Sequence, residues 1–233
     1  MKSLDSAITK LRRLASKNAV EVEHLSGLAV IDDAKAVPIV RELQQRYAWP
    51  HDNRRGDKHV VPLGRWADVV CIYLEGGADA LVAYARRDEP KSFYFAVSIL
   101  GELKSTASVL AFAELAAEVE RDLRTRIEDA VILAEAINLA LSFKGAPVLY
   151  EQTAAELRSF LHAALRYELN EAQRATAVCA LRGVGDESSI DLISAMTAFA
   201  APWSGLEWTA VKAIRKRLRR PRGGDGERIR GHY

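Results

Sequence analysis

Apolar residues recur at helical spacing along most of the chain, and the clearest example lies between residues 170 and 220. Two sets of four residues there have the spacing i, i+3, i+4, i+7, which gives a helix one apolar face. These sets are Ala177, Ala180, Leu181 and Val184, followed by Leu192, Ala195, Met196 and Phe199. Asn170 and Asp186 are suitable N-caps for the two helices, and Gly183 and Gly185 are suited to end the first. The stretch therefore predicts two helices joined by a short turn.

The same pattern predicts helices over most of the remaining sequence. Three capping boxes, in which Ser or Thr stands three residues before Glu, predict further helix starts. They are formed by Thr125 with Glu128, Thr153 with Glu156, and Ser204 with Glu207. Residues 19–31 are predicted to be irregular or helical, because the alternation at Val20 and Val22 has no second strand to pair with. The polar run 51–59 predicts a surface loop.

The predicted helices form pairs at roughly regular intervals. The first helices of four successive pairs are predicted to begin near residues 89, 125, 171 and 205, at separations of 36, 46 and 34 residues. These separations fall within the range of two-helix repeats. The pattern therefore favours an all-α fold built from stacked helix pairs.

Residues 177–193, AVCALRGVGDESSIDLI, resemble the HEAT-like repeat family in the first helix, the Gly-Asp turn and the start of the second helix. The resemblance implies an α-solenoid of HEAT-like antiparallel helix pairs over residues 62–220. Residues 1–61 would then form a divergent N-terminal helical cap with a surface loop, and residues 221–233 a basic, flexible C-terminal tail. HEAT-like arrays generally hold proteins or nucleic acids on a curved surface, so the resemblance implies binding and no particular reaction.

Composition supports a helical protein with a substantial core, since 49% of the 233 residues are hydrophobic and only 7% are aromatic. Cys71 and Cys179 both fall within apolar helical patterns, and we expect them to be free thiols in the core. The first 17 residues lack the apolar segment of a signal peptide, and no run approaches the ~20 apolar residues of a membrane span. We therefore expect a cytoplasmic protein that does not enter a membrane.

Positive charge is concentrated near the C-terminus. Residues 212–230 contain nine Lys or Arg against two acidic residues, a formal charge of +7, which leaves −5 for the rest of a chain whose total is +2. Closely spaced cations can bind phosphates or an acidic partner. They can also complement the dipole of a final helix and give the end of a solenoid a polar, solvated surface. The residues predicted to bind a partner are Trp203, Trp208, Lys212, Arg215, Arg219 and Arg220.

No catalytic, cofactor or metal site is predicted. His51, Asp52, Asp57 and His59 are possible metal ligands, but their spacing matches no strong metal motif and cationic residues lie among them. A solvated loop is the favoured interpretation. Neither Cys has a His at a recognisable catalytic spacing, and the turn at residues 183–186 lacks the strand and the Lys of a phosphate-binding loop.

Our functional hypothesis is therefore a non-catalytic protein-binding adaptor or inhibitor that uses the surface of successive second helices and their loops. A bacterial toxin-neutralising immunity protein is one concrete version, based on small size and the lack of catalytic motifs. The alternative is a nucleic-acid-binding HEAT-like protein resembling the alkylpurine DNA glycosylases. That role favours cations distributed along a concave face, whereas here the positive charge is terminal.

Overall fold

A computed structural model describes residues 4–48, 63–142, 146–167 and 169–219 of the chain. Within these ranges the secondary structure is helical and contains no strand, which confirms the all-α fold class. Eleven α-helices are present in the described ranges. They are α1 (Leu4–Ser16), α2 (Val22–Ile31), α3 (Val37–Arg46), α4 (Leu63–Ala85), α5 (Ser92–Leu103), α6 (Thr106–Arg121), α7 (Ile127–Leu141), α8 (Glu151–Leu165), α9 (Glu171–Val184), α10 (Glu187–Ser194) and α11 (Leu206–Leu218).

From α5 onward the helices pack in two rows. The first row contains α5, α7, α9 and α11, and each of these helices packs against the next. The second row contains α6, α8 and α10, which pack in the same order. Contacts between α5 and α6, α6 and α7, α7 and α8, α8 and α9, and α10 and α11 connect the two rows. Their buried side chains belong to one hydrophobic cluster that extends from Leu11 to Ile214.

The N-terminal helices pack around α4. Helix α3 lies along α4, and α2 packs against both α4 and α5. Residues 22–31 are thus helical, which confirms one of the two alternatives predicted for this region. Leu25, Leu28 and Ala29 are buried, while Val30 on the same helix is 53% exposed. Helix α2 therefore presents apolar residues to the core and also to the surface.

Gly77 divides α4 into two segments. Its backbone has φ 68° and ψ −160°, values that a residue with a side chain adopts only at a cost. Gly77 therefore introduces a kink into α4. No part of the described ranges forms a helix with the length and apolar character that a membrane span requires.

The two predicted caps, Asn170 and Asp186, are confirmed, since the side chain of each accepts a hydrogen bond from the backbone NH three residues ahead. Ser105 caps α6 in the same way. The three capping boxes predicted with Glu are wrong, because α7, α8 and α11 begin after Arg126, Tyr150 and Gly205, none of which caps through a side chain. Packing of the apolar faces sets these helix starts, and a residue suited to capping is not needed there.

Candidate functional site

The residues predicted to bind a partner lie mainly on one face of α11. Trp208, Lys212 and Arg215 of α11 are exposed, as is Arg219 directly after its end, and the four residues occur at i, i+4, i+7 and i+11. The Lys212 ammonium lies over the Trp208 ring, 4.8 Å from its centroid, at cation–π distance. We call these four residues the α11 stripe. It combines an aromatic surface, 65% exposed at Trp208, with three cations.

The other two predicted residues are not part of this stripe. Trp203 precedes α11 and packs, partly buried, against the hydrophobic core. Trp203 therefore contributes to the packing of the core. Arg220 lies outside the described residues, as do the predicted loop at 51–59, with its His and Asp residues, and the tail at 221–233.

A second surface, which the sequence did not predict, lies between α2 and α7. It is a groove of ≈ 660 Å³ with α5 along its floor and one residue of α4 beneath. Its larger apolar residues come from all four helices. They are Val22 and Val30 from α2, Trp66 from α4, Tyr94 from α5, and Ile132 and Leu139 from α7.

The apolar lining of this α2–α7 groove is accessible to a partner. Val30 is 53% exposed, Leu139 39% and Tyr94 37%, and each belongs to a different helix. Large apolar side chains scattered singly over a surface are ordinary, whereas several that converge in one concave site indicate a binding surface. The groove has this second arrangement.

Packing below the groove holds its floor in place. The Trp66 ring is 7% exposed and meets Phe95 edge to face, with the ring centroids 5.1 Å apart. The Tyr94 ring makes a similar contact with Trp66 at 5.9 Å. Edge-to-face contacts of this kind favour a defined ring orientation. Tyr94 is consequently supported from below and exposed to the groove.

Carboxylates supply the charge of the groove. Glu23 on α2, Glu102 on α5 and Glu135 on α7 line it, and no Lys, Arg or His is among its lining residues. All three glutamates are exposed, and none takes part in the ion pairs found between described residues. The groove therefore combines an apolar lining with three carboxylates.

The groove differs in location from the surface expected from the sequence. That expectation placed the partner on the second helices of successive pairs and their loops, whereas α5 and α7 belong to the first row. The sequence of α2 contains one signal for the groove. Its apolar residues are distributed around the helix, so that no face is purely polar; they include Val22, Leu25, Leu28, Val30 and Ile31. A helix that is apolar on more than one face has more than one packing surface.

A His–Ser–Asp group is present between α8 and α10, but its geometry is that of a helix cap. His162 Nε2 lies 2.8 Å from Ser189 Oγ. The Asp186 carboxylate accepts the Ser189 backbone NH at 3.1 Å and pairs with Arg158 Nε at 3.0 Å. In a catalytic triad the carboxylate would orient the histidine, and the serine would be reachable. Here Ser189 is fully buried and the Asp186 carboxylate contacts the serine.

The environment of this cap shifts the pKa values of both ionisable partners. Burial is the largest effect on His162 and lowers its pKa, although the charge of Asp186 opposes this. Burial also acts to raise the pKa of Asp186, but hydrogen bonds from Ser188 and Ser189 and the charge of Arg158 outweigh it, so the pKa is lowered. The folded protein thus favours a neutral His162 beside an ionised Asp186.

The lowered pKa of His162 predicts a loss of stability in mild acid. An ordinary histidine has a pKa of about 6.5, so the unfolded chain takes up the proton at a higher pH than the folded chain. The contribution of His162 is therefore fully present above about pH 6.5 and is lost as the pH falls through the folded value. His162→Gln should make the free energy of unfolding, measured in urea, less dependent on pH between about pH 7 and 5. An unchanged dependence would contradict this assignment.

The cysteines have the environment of core residues. Both are free, as predicted, with Cys71 buried and Cys179 partly buried. Burial raises the pKa of Cys71 to about 11 and also raises that of Cys179. A thiol with a raised pKa is a poor nucleophile at neutral pH, because the thiolate is the reactive form.

The part of the chain that the structure describes therefore offers two surfaces with distinct chemistry, the α11 stripe and the α2–α7 groove. It contains no group of three or more His, Cys, Asp or Glu placed to hold a metal ion. No protein-family model, curated protein or solved structure matches this chain.

Proposed function

We propose that this chain is a non-catalytic protein-binding adaptor or inhibitor whose partner binds in the α2–α7 groove. One observation carries the proposal. Exposed apolar residues from three helices, Val30, Tyr94 and Leu139, converge in one concave surface. Apolar area removed from water supplies most of the favourable free energy of protein association, and a concave site brings several such residues onto one partner segment.

The proposal includes a HEAT-like α-solenoid as the scaffold. In this interpretation α5, α7, α9 and α11 are the first helices of successive pairs, and α6, α8 and α10 are the second helices. The two-row packing and the Asp186 cap at the α9–α10 turn support it. A bacterial toxin-neutralising immunity protein remains one concrete version of the function.

Nucleic-acid binding is the second candidate, and the α11 stripe is the observation that favours it. An exposed Trp208 beside Lys212, Arg215 and Arg219 places a stacking surface next to phosphate-binding cations. The three carboxylates of the groove restrict such a ligand to the region of α11, since they would repel phosphates. A binding surface for nucleic acid would therefore be small.

Affinity capture with matched variants tests the proposal. A Cβ built on Gly27 in the wall of the groove has no neighbour within 4 Å, so Gly27→Ala adds only a methyl group, whereas Gly27→Trp fills part of the groove. We expect the wild type and Gly27→Ala to capture the same stoichiometric protein from the source cell. Gly27→Trp should retain at least about tenfold less of it.

Two results would count against this proposal. Capture of the same protein by Gly27→Trp at the wild-type level would remove the groove from consideration. Steeply salt-dependent binding of duplex DNA that is lost in Arg215→Glu with Arg219→Glu would favour the nucleic-acid alternative. Both variants alter exposed positions, so folding should be retained, and circular dichroism checks this.

A further inference from the structure

We propose that the occupant of the α2–α7 groove is a cationic amphipathic α-helix contributed by the partner protein. The inference rests on the proposed function and adds the chemistry of the partner segment. One face of that helix carries aliphatic or aromatic residues that enter the groove. Lys or Arg residues flank this face and meet the carboxylates that line the groove.

The shape of the groove suits a helix. Two helices, α2 and α7, form its walls, and α5 forms the floor. The lining residues of α2 extend from Val22 to Val30 and those of α5 from Tyr94 to Glu102, a span of nine residues and eight residue steps in each case. Eight helical residue steps rise about 12 Å, or roughly two turns. A partner helix would therefore place anchors from two or three successive turns in the groove, which is the helix-in-groove mode of recognition.

The carboxylates of the groove favour a positively charged partner segment. Glu23, Glu102 and Glu135 come from both walls and the floor, so a helix in the groove would meet a carboxylate on either side. Arg and Lys form charge-assisted hydrogen bonds with carboxylates, whereas Asp and Glu at the same places would be repelled. The glutamates are exposed, so their effect is mainly selection and orientation, and the apolar contacts supply most of the affinity.

Other classes of occupant fit the groove less well. An extended peptide that adds to a sheet requires an unpaired strand edge, and the described ranges contain no strand. A nucleic acid or an anionic lipid surface would bring negative charge towards three carboxylates. A second copy of this chain could offer the α11 stripe, which carries cations beside Trp208. Sedimentation velocity distinguishes a second copy from a different partner protein.

Fluorescence anisotropy with three labelled synthetic peptides tests the inference on the full chain. The first peptide is an amphipathic helix of Leu and Lys, about 18 residues or five turns long. The second has Glu in place of every Lys, and the third has the composition of the first in an order that gives no apolar face. We expect the first peptide to bind at least about tenfold more tightly than the other two.

Variants then place the binding in the groove. Gly27→Trp should weaken binding of the Leu/Lys peptide at least about tenfold, and Gly27→Ala, which adds a single methyl group, should weaken it far less. Glu23→Lys with Glu135→Lys should remove the preference for Lys over Glu, since both exposed wall charges are then reversed. Gly27→Trp and the charge variant act by different means, so misfolding of one would leave the other as a test.

Several outcomes would overturn the inference. They are the absence of measurable binding, equal affinity for the three peptides, and equal binding by Gly27→Trp and the wild type. Sedimentation velocity adds a fourth, because concentration-dependent oligomers that Gly27→Trp abolishes would identify a second copy as the occupant. If the peptides fail but affinity capture still depends on Gly27, the partner segment has another chemistry and the proposed function stands. If both fail, the groove is not the binding surface.

Discussion

Replacing Gly185 by alanine should lower the free energy of unfolding by about 1 to 3 kcal/mol, the usual cost of overpacking a tight site. An added Cβ would lie 2.7 Å from the Leu181 carbonyl oxygen, 2.8 Å from Ile214 Cδ1 and 3.1 Å from Ser189 Cβ. These atoms belong to α9, α11 and α10, so a shift that relieves one contact disturbs another helix. Chemical unfolding followed by far-ultraviolet circular dichroism measures the change.

Gly27→Ala is the matched control for this substitution. Gly27 lies inside α2 and no atom would contact its added Cβ within 4 Å. Alanine there removes the conformational cost of glycine and should raise the free energy of unfolding by about 0.5 to 1 kcal/mol. The same chemical change is thus expected to have opposite signs at the two positions. Equal effects would show that Gly185 is not sterically required.

The sequence correctly indicated that Gly185 lies at the end of a helix. The structure gives another reason for glycine at this position. The sequence indicated that Gly183 and Gly185 end the first helix of the pair, and α9 does end at Val184. Gly185 has φ −61°, so its backbone does not require glycine. Gly183 lies within α9, where an added Cβ would be 2.6 Å from Leu141 Cβ. Both glycines are needed for close contact with other helices, and periodicity along one chain segment does not contain that information.

The pattern of apolar residues predicted helices more reliably than surfaces. It indicated the apolar face of α9 because core packing imposes a fixed spacing on buried residues. It also placed Trp208, Lys212, Arg215 and Arg219 on one predicted helix. The first three lie on α11, Arg219 directly follows it, and all four are exposed. The groove was not predicted, because its residues come from α2, α4, α5 and α7, which are distant in sequence. Their convergence depends on how α2 packs against α5.

Replacing Trp66 by alanine should have the largest effect on stability, a loss of about 3 to 5 kcal/mol in the free energy of unfolding. The ring is 7% exposed and its removal leaves a cavity beside Phe95 and Tyr94. Trp208→Ala provides the matched control, since that ring is 65% exposed. Its loss should change the free energy of unfolding by no more than about 0.5 kcal/mol, as is usual at exposed positions.

The same pair of variants separates support of the groove from direct binding. Trp66 lies under Tyr94, so Trp66→Ala should weaken binding of the Leu/Lys peptide even under conditions where the variant is fully folded. Trp208 lies on α11, and Trp208→Ala should leave the affinity for that peptide unchanged. Weakened binding by Trp208→Ala with normal binding by Trp66→Ala would place the peptide on the α11 stripe. Because circular dichroism does not depend on tryptophan fluorescence, it can verify folding of both variants at the temperature of the binding experiment.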